Sequence, residues 1–455
     1  MRWRRLFLYP LLIPIYFFGL AILLGSWLLV LPVCLAPGNT ISWTDALFTA
    51  ASATCVTGLT VVDTGTAFSA WGKAVILVLI QIGGLGIMSL TSLAMYLFRK
   101  RVSLTDRIAV GQNLLLDASF HLGGFLLRIV FYTLVIELAG ALLLLWCTHG
   151  VMDIPAALFH SVSAFCNAGF SLYGDSLSRW VDDLAVNMVM IGLITLGGIG
   201  FFVMTDVTRW LTIRIKTWGK PPRPLLGWYS TVVLRTSIFL VVAGTLAIFG
   251  AEWVVQHHEQ PETTALLASL FQAVSCRTAG FNTVPIGELT NVTLLLMMTL
   301  MFIGAAPGSC GGGIKVTTFR VLVAFLRSEL RNRDQAVIGR MAASRDAVRR
   351  ALSLFAFSVF IVVTAILILS LSETGAQTHA QARGMFLEIA FEVVSAYGTA
   401  GISTGLTPKL SMFGKYVIIL LMFIGRLGPL IFVGALHALQ RQEAFSRPES
   451  DLLIG

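Results

Sequence analysis

Four short loops hold the residues of this 455-residue chain best suited to chemistry, and their common feature is glycine rather than an acid, base or nucleophile. They read SATCVTGLT (52–60), SAFCNAGFS (163–171), SCRTAGFNT (275–283) and SAYGTAGIST (395–404). Each opens on Ser and reaches a Gly followed by a large apolar residue: Gly58-Leu59, Gly169-Phe170, Gly280-Phe281 and Gly401-Ile402. Three of them carry Ala-Gly, at 168–169, 279–280 and 400–401. The chemistry open to such loops is that of the main chain. Carbonyl oxygens arranged as a ring replace the water shell of a monovalent cation, and glycine lets the backbone aim them inward without a Cβ clash. No ring of Asp or Glu occupies the loops, which argues against a calcium-type site.

The elements that must position these loops recur with them. Apolar segments lie near 6–34, 72–98, 123–148, 185–211, 229–255, 291–325, 351–372 and 415–439. They form four pairs, and between the members of each pair runs a stretch too short to span: 45–53, 155–164, 266–275 and 385–396. Short apolar stretches between two spanning helices fit re-entrant half-helices, and Pro155 suits a first helical turn. Each unit is thus expected to be helix, half-helix, loop, helix. Irregular backbone cannot face lipid, so the four loops must line a water-filled path or pack inside protein. The half-helix C-termini would aim their negative dipole ends at a bound cation.

Composition supports a membrane setting. The chain is 56% hydrophobic and only 12% charged, with a mean hydropathy of +0.84; ordinary globular domains carry roughly twice that charged fraction. The apolar run from Leu6 to Val33 is too long for a secretory signal and predicts a retained first spanning helix. A net charge of +9 would suit nucleic acid, but the basic residues cluster in alternate loops (99–107, 209–223, 327–350, Arg441 and Arg447), while the intervening loops collect acids. That alternation predicts both termini in the cytoplasm and no nucleic-acid partner. The six cysteines form no CxxC pair and fit small apolar packing residues. His257 and His258 lie in a polar loop.

At these residues the sequence resembles the Trk/Ktr/HKT superfamily of potassium transporters, over essentially the whole chain, and is most similar to Ktr-type membrane subunits. RTAGFNT (277–283) and FIGAAPGSCGGGIKVTTF (302–319) look like third-repeat signatures of that family. The resemblance implies an all-α membrane protein with eight spanning helices, as four helix–pore-loop–helix repeats in pseudo-fourfold arrangement around one central pore. Repeat boundaries would fall at 1–110, 111–222, 223–345 and 346–455. It implies potassium binding at Val56, Thr57, Gly58, Asn167, Ala168, Gly169, Thr278, Ala279, Gly280, Thr399, Ala400 and Gly401. Relatives that prefer sodium place Ser at the first glycine, so Gly58 implies potassium. It further implies a homodimer in the bacterial plasma (inner) membrane and a cytosolic ring of nucleotide-binding regulatory subunits. No covalent cofactor is expected; sodium is a candidate coupling or activating ion. The first loop departs from the pattern, with Cys55-Val56-Thr57 where the others end in Ala-Gly.

The sixth apolar segment is interrupted from Gly304 to Gly313, where five glycines and Pro307 cannot sustain a helix. The resemblance makes this interruption an intramembrane gating loop, with Gly304, Pro307, Gly308, Gly311, Gly312, Gly313, Lys315 and Arg426 as gate residues. GSCGGGIK lacks the ending of a phosphate-binding loop and follows no strand. Lys315 and Arg426 are ionisable groups in apolar company, where a functional role is the default; in the family the arginine matching Arg426 is a barrier below the filter. Arg277 is expected to brace its loop from behind, since a cation facing the ion would repel it. Glu137 is expected to pair with an interior cation.

Two other classes compete. A membrane-bound enzyme needs a carboxylate pair or an activated nucleophile, and Asp182-Asp183 is the one adjacent acid pair, in an outer loop. A broken-helix solute symporter usually shows inverted repeats, whereas these units all run in the same orientation. The basic stretch from Arg327 to Arg350 could dock a cytosolic partner or anionic lipid, and Leu452-Leu453-Ile454 could tuck into a subunit interface.

Overall fold

The computed structural model describes residues 13–86, 122–216, 226–255, 261–375, 377–378 and 380–428. Helices dominate, apart from a two-stranded antiparallel hairpin, β1 (Val337–Ile338) and β2 (Met341–Ala342). In chain order the helices that matter are α1 (Ile13–Val30), α2 (Trp43–Thr54), α3 (Ala70–Gly84), α4 (Leu122–Cys147), α5 (Ile154–Phe165), α6 (Leu184–Gly198) and α7 (Phe201–Lys216). They continue with α8 (Trp228–Val255), α9 (Glu262–Ser275), α10 (Asn291–Phe302), α11 (Val316–Glu329), α12 (Arg345–Thr374), α13 (Met385–Gly398) and α14 (Met412–Leu427).

Among the described residues, three helices are long and apolar enough to cross a membrane: Leu127–Cys147, Trp228–Val254 and Arg345–Thr374. Their outer faces are apolar too. Leu127, Phe131, Leu134, Leu138 and Leu142 recur at helical spacing along α4, and all are more than half exposed. In water such a stripe would be a liability, so its natural neighbour is lipid. The segment expected to span from 185 to 211 is not one helix. It is α6 and α7, bent by 106° at a break of two residues, where Gly200 takes a positive φ of 87°.

The short stretches are helices with defined ends. Ser42 accepts a hydrogen bond from the Asp45 amide and Asp153 from the Ala156 amide, so both satisfy orphan donors of a first turn. Asp183 does the same for α6, accepting from the amides of Ala185 and Val186. Half of the only adjacent acid pair therefore serves as a cap.

Packing follows a closed cycle. α2 packs on α1 and α3, α5 on α4 and α6, α9 on α8 and α10, and α13 on α12 and α14. Each outgoing helix also packs on the next short helix: α3 on α5, α6 on α9, α10 on α13, and α14 back on α2. At the last joint Lys415 Nζ meets Asp45 Oδ1 at 2.7 Å. The last described helix, α14, is thereby clasped to the first short helix, α2.

Candidate functional site

The short helices α2, α5, α9 and α13 end at Thr54, Phe165, Ser275 and Gly398, immediately before the four glycines. Those glycines all have positive φ (96°, 70°, 82° and 79° for Gly58, Gly169, Gly280 and Gly401). Two residues earlier, Val56, Asn167, Thr278 and Thr399 are also left-handed, with φ of 56°, 58°, 76° and 49°. Three of these are β-branched, for which that region is a genuine outlier. Strain of this kind costs on the order of 1–3 kcal/mol per residue and persists where the surroundings over-determine it. Thr57, Ala168, Ala279 and Ala400, in between, do not share the positive φ. The sign of φ therefore alternates along each loop.

The amides go the other way. Thr57, Ala168 and Ala400 donate their N–H to the carbonyls of Ser52, Ser163 and Ser395 at 2.8, 2.7 and 2.8 Å, and Ala279 donates to Ser275 at 2.9 Å. Among the described residues no donor reaches the carbonyl oxygens of Thr57, Ala168, Ala279 or Ala400. Unpaired buried carbonyls are rare and need a reason. The third loop is one residue out of register, because Ser275 stands five residues before its glycine and the others six. Ser163 and Ser275 nonetheless both donate a hydroxyl to the residue after the glycine, Phe170 O (2.8 Å) and Phe281 O.

The loops meet each other. A Cβ on Gly58 would lie 2.6 Å from Ala168 O and 2.9 Å from Gly169 Cα. One on Gly169 would lie 2.8 Å from Gly280 Cα, and one on Gly280 3.0 Å from Ala400 O. A Cβ on Gly401 would fall on Thr57 O, 3.0 Å from Gly58 Cα. The Cβ position of each glycine thus abuts the next loop in the order 58, 169, 280, 401 and back to 58, and that of Gly280 also lies 3.3 Å from Thr57 O on the first loop. No side chain fits between them.

The interruption between α10 and α11 is built as a closed loop. Gly304 N donates to Ile314 O (2.8 Å) and Ile314 N to Phe302 O (3.3 Å), tying its two ends together. Its middle is fastened to the α6–α7 bend: Ala306 N to Gly198 O, Cys310 N to Gly197 O and Phe201 N to Gly308 O, all at 3.1 Å. A Cβ on Gly311 would strike Thr278 Oγ1, one on Gly312 Thr399 Oγ1, and one on Gly313 would sit 3.4 Å from Gly398 Cα. Residues 311–313 therefore run directly against the third and fourth glycine loops. Lys315 Nζ folds back onto Gly311 O at 2.7 Å. Arg426, at the end of α14, donates to Cys310 O on this loop and to Gly83 O at the end of α3. Pro307 closes the set, its carbonyl accepting from Tyr229 Oη at 3.4 Å.

Other charged groups have definite partners. Arg277 Nη2 donates to Ser237 Oγ on α8 at 3.1 Å, so its charge is turned onto that helix. The expectation of a cation opposite Glu137 needs correction. Gln81 Nε2 donates to its carboxylate at 3.2 Å, and Cys166 Sγ lies 3.6 Å from its other oxygen; an amide and a thiol stand where a cation was expected. In the loop after α5, the Arg179 guanidinium bonded to Asp175 holds that carboxyl below its ordinary range and lies 4.2 Å from the centre of the Tyr173 ring.

Reading the residues alone missed Gly83, Gly197 and Gly425. A Cβ on any of them would strike the last carbonyls of the neighbouring short helix, those of Thr54, Phe165 and Tyr397 respectively. Glycine there lets backbones approach within contact, and the visible signal was a glycine late in each outgoing apolar segment. His257 and His258, the basic clusters at 99–107, 217–223 and beyond 440, and Leu452 to Ile454 lie outside the described residues.

A helical chain with apolar outer faces, three of its described helices long and apolar enough to cross a bilayer, fits a membrane protein. Comparison makes this specific. The sequence model of the TrkH family, described as "Cation transport protein", matches residues 26–445, and the chain belongs to that family. It is 38% identical to the Ktr system potassium uptake protein B of Bacillus subtilis, across 100% of this chain and 98% of that one. It is 37% identical to the protein of the same name from Vibrio alginolyticus, across 98% and 95%. The potassium/sodium uptake protein NtpJ of Enterococcus hirae is 34% identical, across 96% and 95%. The crystal structure of the potassium transporter TrkH from Vibrio parahaemolyticus superposes with a TM-score of 0.68 at 21% identity, across 95% of this chain and 84% of that one. Relatives that move ions displace the enzyme alternative.

Proposed function

We propose that this protein takes up potassium across the bacterial plasma membrane through a selectivity filter made of main-chain carbonyls. The observation that carries this reading is the cyclic contact of Gly58, Gly169, Gly280 and Gly401, with unpaired carbonyls on the residues just before them. Such oxygens are the groups that replace the hydration shell of potassium. The names of the Bacillus, Vibrio and Enterococcus relatives agree with a potassium cargo.

In this reading the chain is four repeats, 1–110, 111–222, 223–345 and 346–455, in pseudo-fourfold array about one pore with eight spans. The filter positions are the twelve residues 56–58, 167–169, 278–280 and 399–401. Residues 304–313 are the gate, held closed under the filter by Lys315 and Arg426. A homodimer, cytoplasmic termini and a cytosolic nucleotide-binding partner docked near Arg327 to Arg350 complete the assembly. Sodium acts as a coupling or activating ion, a reading supported by the name of the Enterococcus relative.

Rubidium uptake into liposomes, with and without sodium, tests the filter. Wild type should prefer rubidium over sodium when the two compete for uptake, and Gly58→Ser should lose that preference. Equal selectivity in both proteins would refute the role of Gly58. Restored growth of an uptake-deficient strain at low potassium separates this reading from a solute symporter, which would not support it.

A further inference from the structure

Behind two of the four loops stands a buried polar side chain that the filter reading does not use. Nine residues before their glycines, α5 carries His160 and α13 carries Glu392, both fully buried. Each reaches the residue two beyond the glycine. His160 Nε2 lies 3.1 Å from Ser171 Oγ and 3.4 Å from the Leu172 amide, while its Nδ1 pairs with Ala156 O at 2.8 Å. Glu392 accepts from Ser403 Oγ through one oxygen and from Thr407 Oγ1 (2.8 Å) through the other.

The same register in the other two repeats has no such post. In α2 the residue is Thr49, whose hydroxyl is spent on its own helix at Asp45 O, 2.8 Å away. In α9 Phe271 stands nine before Gly280, and the loop's one-residue shift brings buried Gln272 to the helix position of His160 and Glu392, but among the described residues its amide makes no hydrogen bond and so ties nothing to the loop. Asn282, two residues beyond Gly280, is instead held from the second repeat, its amide by Ser176 Oγ at 3.2 Å and its carbonyl by the Leu177 amide at 3.0 Å.

We propose that His160 and Glu392 are positioning residues that fix the outer ends of the second and fourth loops and thereby help set ion preference. The chemistry argues for it. A carboxylate accepting two hydroxyls, or an imidazole held at both nitrogens, restrains a loop far more stiffly than apolar contact does. A carbonyl ring discriminates between alkali ions through the number and stiffness of its oxygens. Glu392 and His160 occupy the second and fourth loops, which are not adjacent in the ring. Stiffening that pair alone makes selectivity asymmetric among the four loops.

The inference rests on the filter reading, and the test separates the two. Competition of sodium against rubidium uptake is measured in liposomes holding the full-length protein. Glu392→Leu and His160→Leu should each lower the preference for rubidium at least about fivefold, the scale of one lost hydrogen bond. Glu392→Gln should recover most of that loss, and Thr49→Val should leave the preference within about twofold of wild type. Should the leucine variants fail to fold, Ser403→Ala and Ser171→Ala cut the same contacts from the other end and should show the same shift. Unchanged preference in all these variants, or an equal loss in Thr49→Val, overturns the proposal while leaving the filter standing. A wild-type protein that takes up ions with no preference overturns both.

Discussion

Arg426 on α14 and Cys310 on the loop between α10 and α11 lie 116 residues apart, and the guanidinium of one donates to the main-chain oxygen of the other. The same side chain also donates to Gly83 O. One residue at the end of α14 therefore clamps the interrupted segment to the end of α3. An exposed arginine would contribute little there, but this one is buried, and hydrogen bonds from charged groups contribute about 1.5–3 kcal/mol each.

Loss of that clamp should free the loop. Arg426→Ala is expected to raise basal rubidium leak several-fold and to make Cys310, now fully buried, accessible to a membrane-permeant maleimide. Arg426→Lys, a point charge without the planar fork, should fall between. If Cys310 labels no faster in the alanine variant than in wild type, the clamp is not what holds the loop.

The glycines of the four loops differ sharply from ordinary ones. Gly401→Ala adds a left-handed alanine, at roughly 1–2 kcal/mol, and drives its Cβ onto Thr57 O. Uptake should be lost. Gly192→Ala, on α6 with nothing within 4 Å of its Cβ, should leave uptake intact. Its thermal midpoint should hold or rise, since alanine favours a helix interior by up to about 1 kcal/mol.

Glu137 lies behind the second loop and anchors three groups: Gln81 and Cys166 through its carboxylate, and Ser161 Oγ at 2.6 Å through its carbonyl. Glu137→Ala leaves the partly buried Gln81 amide without this partner, at a cost of about 1 kcal/mol. A lower thermal midpoint is expected, with Glu137→Gln closer to wild type. A midpoint unmoved by the alanine change would show that the cluster carries no stability.

The Asp45–Lys415 pair joins the first short helix to the last outgoing one. It is partly shielded from solvent, so a double-mutant cycle with Asp45→Ala and Lys415→Ala should give a coupling of about 0.5–1 kcal/mol, smaller at high salt. Strict additivity would mean that packing of α14 on α2 closes the cycle unaided.

Much of this arrangement could be read from the chain because it is repeated. Glycine-bearing loops at a near-constant interval, each after a short apolar stretch, signalled Gly58, Gly169, Gly280 and Gly401 together with α2, α5, α9 and α13. Interruption of the sixth segment was equally plain, since five glycines and Pro307 cannot stay helical. What stayed hidden depends on geometry that no spacing encodes. The 106° bend between α6 and α7 lies in an apolar run where Gly197, Gly198 and Gly200 mark the place but not the angle. Partners such as Gln81 for Glu137, or Ser237 for Arg277, sit 56 and 40 residues away and carry no charge to betray them. The register shift at Ser275 passed unnoticed because Ser opens all four loops.

Anomalous diffraction from crystals soaked in rubidium tests the central claim most directly. The account predicts a peak on the axis encircled by Gly58, Gly169, Gly280 and Gly401, within coordinating distance of the carbonyl oxygens of Thr57, Ala168, Ala279 and Ala400. Rubidium bound elsewhere, with that ring empty under saturating ion, would contradict it.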